Sequence, residues 1–138
     1  MIKPICKDTA LLSKPAEKAA NTDLQIARDL ADTLLANRAR CVGMAANMIG
    51  VPKNIIAILP PGADAPIVML NPRIIAKIGA YETQEGCLSL SGERPAVRYQ
   101  TITVRYLDIA MHQQKKVFSG FAAQIIQHEI DHCAGILI

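Results

Sequence analysis

The segment QHEIDHCAG, residues 127–135, has the residue types and spacing of a metal site on a helix. His128 and His132 are four positions apart, so on a helix both imidazoles lie on one face and can bind the same ion. Glu129 lies at the edge of that face, where it can reach a water molecule without binding the ion itself. Zinc and iron accept neutral imidazole, and a catalytic site adds a third protein ligand and an open position for water. The pattern therefore predicts metal-dependent hydrolysis with Glu129 as general base.

The third protein ligand must come from upstream of His132. Only six residues follow His132, and none of them is Asp, Glu or His. Besides the carboxylates, the upstream candidates are three cysteines and one histidine: Cys6, Cys41, Cys87 and His112. Cys87 lies in QEGCLSL, where a thiolate fixed on a strand and facing the helix would complete a three-point site. His112, in the polar segment AMHQQKK, is predicted to be a surface residue, and Cys133 a core residue that points away from the ion.

Two helices are predicted to frame the chain. The first covers residues 22–37, with Thr22 and Gln25 as a capping box and an apolar stripe that includes Leu24 and Leu34. The second is GFAAQIIQHEIDHCAG, which carries the two histidines and ends at Gly135. Its predicted core contacts are Ala123, Ile126, Ile130 and Cys133.

Between the two helices, short apolar or alternating runs predict strands. These runs are NIIAIL, IVML, RIIAKIGAY, TITVRYLD and KVFSG. The fold class is therefore predicted to be α+β. A mostly antiparallel sheet region packs around the C-terminal helix that bears the H-E-x-x-H motif. An N-terminal helix completes the predicted fold.

Composition and charge predict one ordinary globular domain over residues 1–138. Hydrophobic residues make up 51% of the chain, charged residues 20%, and the net charge is +3. The charge is too small and too evenly spread to indicate nucleic-acid specificity. No run approaches the ~20 apolar residues of a membrane helix. The first residues lack the pattern of a signal peptide, so the sequence predicts a cytoplasmic protein with reduced thiols.

Three segments resemble the motifs of peptide deformylases, at similar spacing along nearly the whole chain. They are CVGMAANMIG (41–50), EGCLSL (85–90) and QHEIDH (127–132). The resemblance implies that the protein removes the N-terminal formyl group from nascent peptides that begin with formyl-methionine, using a metal-bound water. It implies Cys87, His128 and His132 as ligands, Glu129 as proton shuttle and the backbone N–H of Leu88 as oxyanion donor.

The resemblance also implies the cofactor and the partners. The cofactor is one divalent ion per chain, Fe²⁺ in the cell, with Zn²⁺ or Ni²⁺ as substitutes. The partners are formylated nascent peptides and the ribosome near its exit tunnel. The peptide is expected to lie extended beside the first motif, where Gly43 is small enough to allow a close approach.

The resemblance assigns the rest of the substrate site. Arg94 matches a family arginine that contacts the peptide backbone. The alternative, given equal weight, is that Arg94 is a solvated turn residue with no part in binding. The pocket for the first side chain is expected near Val42, Glu85, Ile125 and His128. Gln124, one turn before His128, would make this pocket more polar. Glu85 is expected to support a ligand rather than to act in catalysis.

The first motif departs from the family pattern at two positions. Met48 stands where the family has Gln, and Cys41 where it has the first Gly. The Gln supplies an oxyanion donor, and removing one such donor typically costs ~10²–10³ in kcat. Asn47 has an amide, but on a strand it would point to the opposite face. The sequence thus predicts reduced deformylase activity. The alternative is a deformylase-like metalloprotein, with lost or altered activity, that binds peptides in the same groove.

A general metalloprotease is a third and weaker hypothesis. The common H-E-x-x-H proteases take their third ligand from residues after the motif, and no candidate follows His132 here. The small size of the chain argues in the same direction.

Overall fold

The predicted order of an N-terminal helix, a run of strands and a C-terminal helix is found in a computed structural model that describes residues 1–87 and 89–137. A short helix that the sequence did not indicate precedes these elements. The helices are α1 (Thr9–Leu12), α2 (Leu24–Ala36) and α3 (Gly120–Cys133), and short 3₁₀ helices cover Asn21–Asp23 and Ala46–Ile49. The strands are β1 (Gly43–Ala45), β2 (Ile55–Ile58), β3 (Ile67–Cys87), β4 (Leu90–Leu107) and β5 (Gln113–Ser119). Within the described residues, no helix is both long and apolar enough to cross a membrane.

The strands form one sheet in the order β1-β2-β3-β4-β5, with every neighbouring pair antiparallel. This arrangement confirms the predicted fold class. The runs IVML and RIIAKIGAY, which the sequence suggests as two strands, belong to the single strand β3. The pairing with β4 shifts register between Leu70 and Arg73. Pro72 lies within that shift, and a proline has no N–H for the ladder, so an irregularity is expected there.

The two longer helices cover opposite faces of strand β2. Side chains alternate along a strand, and Ile55 and Ala57 pack in one core cluster with Leu30 of α2. Ile56 and Ile58 pack in a second cluster with Ile126 of α3. All four residues of β2 are fully buried. This explains why the run is apolar throughout instead of alternating, and why α3 is held firmly against the sheet.

The start of α2 differs from the sequence prediction. The helix begins at Leu24, after the 3₁₀ turn Asn21–Asp23, and the Thr22–Gln25 capping box does not form. Instead, the Asp23 carboxylate accepts the backbone N–H of Ala20 at 2.8 Å. The tight 3₁₀ turn brings Asp23 back to that N–H, and Gln25 donates to Asp29 at 2.9 Å.

The end of α3 follows the prediction that Gly135 stops the helix. Gly135 has a φ of +80°, a backbone conformation that favours glycine. Its N–H donates to the His132 carbonyl at 3.0 Å, and the N–H of Ile136 donates to the Asp131 carbonyl at 3.0 Å. These two bonds define a Schellman motif. The predicted core positions Ala123, Ile126, Ile130 and Cys133 all pack in the cluster beneath α3.

Candidate metal centre

Three potential ligands come together where the end of β3 meets α3. One ligand atom each from Cys87, His128 and His132 lies within 4.8 Å of the other two. The two Nε2 atoms of the histidines are 3.0 Å apart. Of the other candidates, Cys6 and Cys41 do not join this cluster in the described part of the chain. His112 lies exposed in the turn before β5, as predicted.

The donor set fits a divalent transition-metal ion. One thiolate and two imidazoles suit zinc and iron and leave a coordination position open for water. The two Nε2 atoms at 3.0 Å are within hydrogen-bond distance, with one ring donating its N–H to the other, and an ion bound by both rings would replace that proton. Burial lowers the pKa of His132 to about 3, so this ring is neutral, as a ligand must be. The cluster therefore has both the chemistry and the spacing for one ion.

A buried carboxylate orients the first histidine. Glu85 Oε1 lies 2.9 Å from His128 Nδ1, the ring nitrogen on the side away from His132. Burial alone would lower the pKa of His128, but the neighbouring Cys87 and Glu85 outweigh this effect and raise it to about 10. A carboxylate on the outer nitrogen fixes the tautomer and ring orientation of a metal-binding histidine. Glu85 thus has the supporting place that the sequence suggests.

Arg98 holds this carboxylate and was not identified from the sequence. Its Nη2 lies 2.6 Å and its Nε 3.0 Å from Glu85 Oε1, and its Nη1 lies 2.7 Å from Asp131 Oδ2. Gln124 Nε2 adds a bond of 3.0 Å to Glu85 Oε2. Burial raises the pKa of Glu85, but hydrogen bonds from His128, Arg98 and Gln124 bring it down to about 2. A lone arginine in an alternating strand carries no sequence signal for such a role.

The Glu129 side chain lies beside the ligands, in a space that Gly43 leaves open. Glu129 is buried, Oε1 has no hydrogen-bond partner among the described residues, and burial raises the pKa of the carboxyl to about 7. A Cβ added at Gly43 would lie 2.6 Å from Cγ2 of Ile125 and 2.9 Å from Oε2 of Glu129. Gly43 therefore allows β1 to pack closely on α3. Gly43 also lines the cavity described next, so the predicted close approach of a peptide stays a prediction.

A cavity of about 490 Å³ opens over the ligands. Four of the five residues predicted to bind substrate line it: Val42, Gly43, Glu85 and Ile125. The fifth, Arg94, is not part of this lining, and its Nη2 donates to the Ser91 carbonyl at 3.1 Å. Leu88, the predicted oxyanion donor, lies outside the described residues. Arg40, Gln84 and Phe121 also line the cavity and were not singled out in the sequence.

The two departures in the first motif are both at this cavity. Met48 is part of the lining and is 1% exposed. Residues 46–49 form a 3₁₀ helix, so the assumption of a strand at Asn47 was wrong. The Asn47 side chain points to the end of α3, where Nδ2 donates to the His132 carbonyl at 2.8 Å. Burial raises the pKa of Cys41 to about 12, and its thiol donates to the Gly43 carbonyl at 2.8 Å, so it stays protonated.

Comparisons with known proteins agree with this geometry. The family model described as polypeptide deformylase matches residues 2–138. A peptide deformylase of Clostridium beijerinckii is 51% identical over 138 residues, which are the full length of both chains.

Solved structures give the same result. A peptide deformylase from Legionella pneumophila superposes with a TM-score of 0.88 at 34% identity, covering 99% of this chain and 83% of that one. A class I type b peptide deformylase from Acinetobacter baumannii with bound Met-Ala-Ser gives 0.85 at 30% identity, covering 99% and 97%. The chain belongs to the polypeptide deformylase family, metal-dependent hydrolases that remove the N-terminal formyl group from peptides.

Proposed function

We propose that this chain hydrolyses the formyl group of formyl-methionyl peptides, with Cys87, His128 and His132 holding one divalent ion and Glu129 moving the proton. One observation carries the assignment. A buried carboxylate with an unpartnered oxygen lies beside a thiol and two imidazoles at the base of an open cavity. Hydrolysis of a polarised carbonyl uses all four groups: the thiol and the two imidazoles bind the ion, and the carboxylate carries the proton.

The reaction needs an activated water and a proton carrier. When bound, a divalent ion supplies Lewis acidity, which lowers the pKa of a water and polarises the formyl carbonyl. Glu129 Oε1 takes the proton of that water and later gives it to the leaving amine. Burial raises the pKa of Glu129, which helps this carboxyl to hold the proton between the two transfers. Glu85 and Arg98 keep the His128 ring in place during these steps.

When water adds to the formyl carbon, the negative charge develops on the formyl oxygen, and this oxyanion needs hydrogen-bond donors. We assign one to the backbone N–H of Leu88, by the resemblance to the family. Met48 has no donor at the position of the family Gln, and the amide of Asn47 is engaged with the His132 carbonyl. Activity is therefore expected, but with a lower kcat than a member that has both donors.

The substrate is expected to lie extended along the cavity as an added strand, through main-chain hydrogen bonds. The relative from Acinetobacter baumannii with bound Met-Ala-Ser supports a peptide in this cavity. Val42, Glu85 and Ile125 are proposed to border the first side chain, and Arg94 to meet the peptide backbone. The Nε2 of Gln124 is engaged with Glu85, which reduces the polarity that this residue adds to the pocket.

The ion and the place of action follow from the same proposal. We assign Fe²⁺ in the cell, with Zn²⁺ or Ni²⁺ as substitutes, because thiolate and imidazole ligands accept all three. Nascent peptides are the substrate, so we place the chain in the cytoplasm near the exit tunnel of the ribosome.

Deformylation of formyl-Met-Ala-Ser by protein loaded with Fe²⁺ without oxygen tests the proposal. The wild type should release formate, and Glu129→Gln should lower kcat by about 10²–10⁴ because the proton carrier is lost. The iron content of the variant should equal that of the wild type, since Glu129 is not a ligand. Glu17→Gln, a change at an exposed carboxylate that does not line the cavity, is the control and should keep full activity.

A second function is favoured by Met48 alone. A peptide-binding protein that uses the metal as a structural clip has no need of an oxyanion donor. An iron-loaded wild type that binds the formyl peptide but releases no formate would support this second function. That result would contradict the proposed hydrolysis.

A further inference from the structure

The side-chain amide of Asn47 joins the segment after β1 to the last turn of α3. Its Nδ2 lies 2.8 Å from the main-chain carbonyl of His132, across 85 positions of sequence. A carbonyl can only accept, so the nitrogen end of the amide must face it. Asn47 is 1% exposed, and water does not compete for this bond. The contact links a ligand of the proposed metal site to an element that carries none of the ligands.

His132 needs such a link because it lies in the last turn of α3, where main-chain carbonyls lack partners within the helix. The last four carbonyls of a helix have no partner within it, and α3 ends at Cys133. The Schellman bond from Gly135 supplies one donor to the His132 carbonyl, and Asn47 supplies the other. The N–H of Ala16 caps the Cys133 carbonyl at 2.7 Å. The donor from Asn47 comes from the 3₁₀ turn Ala46–Ile49, whose Met48 lines the cavity.

The position of Asn47 is itself fixed by the backbone around it. The N–H of Gly50 donates to the Asn47 carbonyl at 3.0 Å, and the N–H of Cys6 donates to the Met48 carbonyl at 2.7 Å. Both bonds hold the 3₁₀ turn Ala46–Ile49 in place. A fixed turn with a short, buried side chain restricts how far the His132 carbonyl can move.

The amide does more than fill space. Its neighbours in the turn, Ala46, Met48 and Ile49, are apolar and buried. Asn47 Oδ1 is also buried, and it has no hydrogen-bond partner among the described residues. An apolar side chain of similar size would avoid burying that oxygen. The N–H bond to His132 is therefore the contribution that distinguishes asparagine here.

We propose that Asn47 is a positioning residue for the metal site, acting on His132 through the main chain. The inference rests on the proposed role of His132 as a ligand. Asn47 keeps the last turn of α3 at a fixed distance from the 3₁₀ turn Ala46–Ile49, so that the His132 ring meets the ion together with Cys87 and His128. Outer contacts of this kind commonly change metal affinity by about 10–100-fold.

The test uses two matched variants, Asn47→Asp and Asn71→Asp. Asn71 also donates through Nδ2 to a main-chain carbonyl, that of Ala19 at 2.9 Å, but lies away from the cavity. Each variant loses one such N–H, and aspartate tolerates the φ of +53° at residue 71. Co²⁺ affinity, by competition with a chelator, and the visible spectrum of the Co²⁺ protein are measured beside the melting temperature of the apo protein.

Asn47→Asp should weaken Co²⁺ binding by about 10–100-fold and shift the ligand-field bands. Asn71→Asp should lower the melting temperature and leave affinity and spectrum unchanged. If Asn47→Asp does not fold, Asn47→Ser is used, with a smaller effect in the same direction. Variants at Asn47 that lose only thermal stability, as at Asn71, would overturn the inference. A wild type that binds no Co²⁺ would instead contradict the ligand set of the proposed function.

Discussion

At the scale of single residues, Met48 decides how fast the proposed reaction can run. It is buried in the wall of the cavity and offers no hydrogen-bond donor at the position where the family has the Gln proposed to bind the oxyanion. The three proposed ligands and Glu129 are all present at the same cavity. The lost donor alone is therefore expected to limit kcat without weakening metal binding.

Met48→Gln should raise kcat for formyl-Met-Ala-Ser by up to ~10²-fold, toward the typical contribution of one oxyanion donor. Steady-state kinetics on the Fe²⁺ protein measure the change. Met48→Leu is the matched control, because it keeps the apolar volume without adding a donor, and kcat should stay at the wild-type value. Equal rates for the Gln and Leu variants would show that no oxyanion lies within reach of residue 48.

The sequence predicts the residues at the centre of the site better than those around it. The two histidines share a helix, and their spacing places them together without any knowledge of the sheet. Cys87 needs the resemblance to the family, since the residues alone leave several ligands open. Asn47 and Arg98 cannot be found from the sequence. Their partners are 85 and 13 positions away, and only the packed fold brings them together.

At the scale of elements, the ion network around Arg98 connects β4, β3 and α3. The Arg98 and Glu85 side chains are 5% and 6% exposed, and Arg98 also reaches Asp131 on α3. Removing one member of a buried pair leaves the other charge without a partner, which typically costs about 3–5 kcal/mol. The network therefore stabilises the fold as well as orienting His128.

Arg98→Met should lower the free energy of unfolding of the apo protein by about 3–5 kcal/mol, measured by urea titration. The double variant Arg98→Met, Glu85→Leu removes both charges of the pair and should be more stable than Arg98→Met alone. A single variant that loses less than about 1 kcal/mol would mean that water reaches Glu85 and replaces the guanidinium.

Element boundaries were predicted well where a side chain or a glycine marks them, and poorly elsewhere. Gly135 ends α3 as its lack of a side chain requires. The start of α2 differs from the prediction because a 3₁₀ turn precedes it, in which the Asp23 carboxylate accepts the N–H of Ala20 and no side chain caps α2 itself. The length of β3 was missed because Pro72 looks like a strand boundary, whereas a register shift absorbs it.

At the scale of the whole molecule, the outer face of the sheet carries a row of like charges. Arg73 pairs with Arg105, and Arg105 pairs with Lys115, across three adjacent strands. Directly paired residues point to the same face, and neighbouring strands are about 4.8 Å apart. All three side chains are exposed, and none has an ion-pair partner in the part of the chain that the structure describes. Like charges placed directly opposite destabilise a sheet.

Removing the central charge should therefore stabilise the protein at low ionic strength. Arg105→Gln relieves two repulsive pairs, each about 0.2–1 kcal/mol, which corresponds to a rise of a few degrees, about 1–6 °C, in the melting temperature. Arg28→Gln is the control, since Arg28 is exposed on α2 and its loss changes the net charge equally. At about 1 M salt the screening length falls to about 3 Å, and the difference between the two variants should disappear. Calorimetry measures the melting temperatures of both variants at the two salt concentrations. Equal shifts of the melting temperature in the two variants at low salt would assign the effect to net charge and not to the row of paired charges.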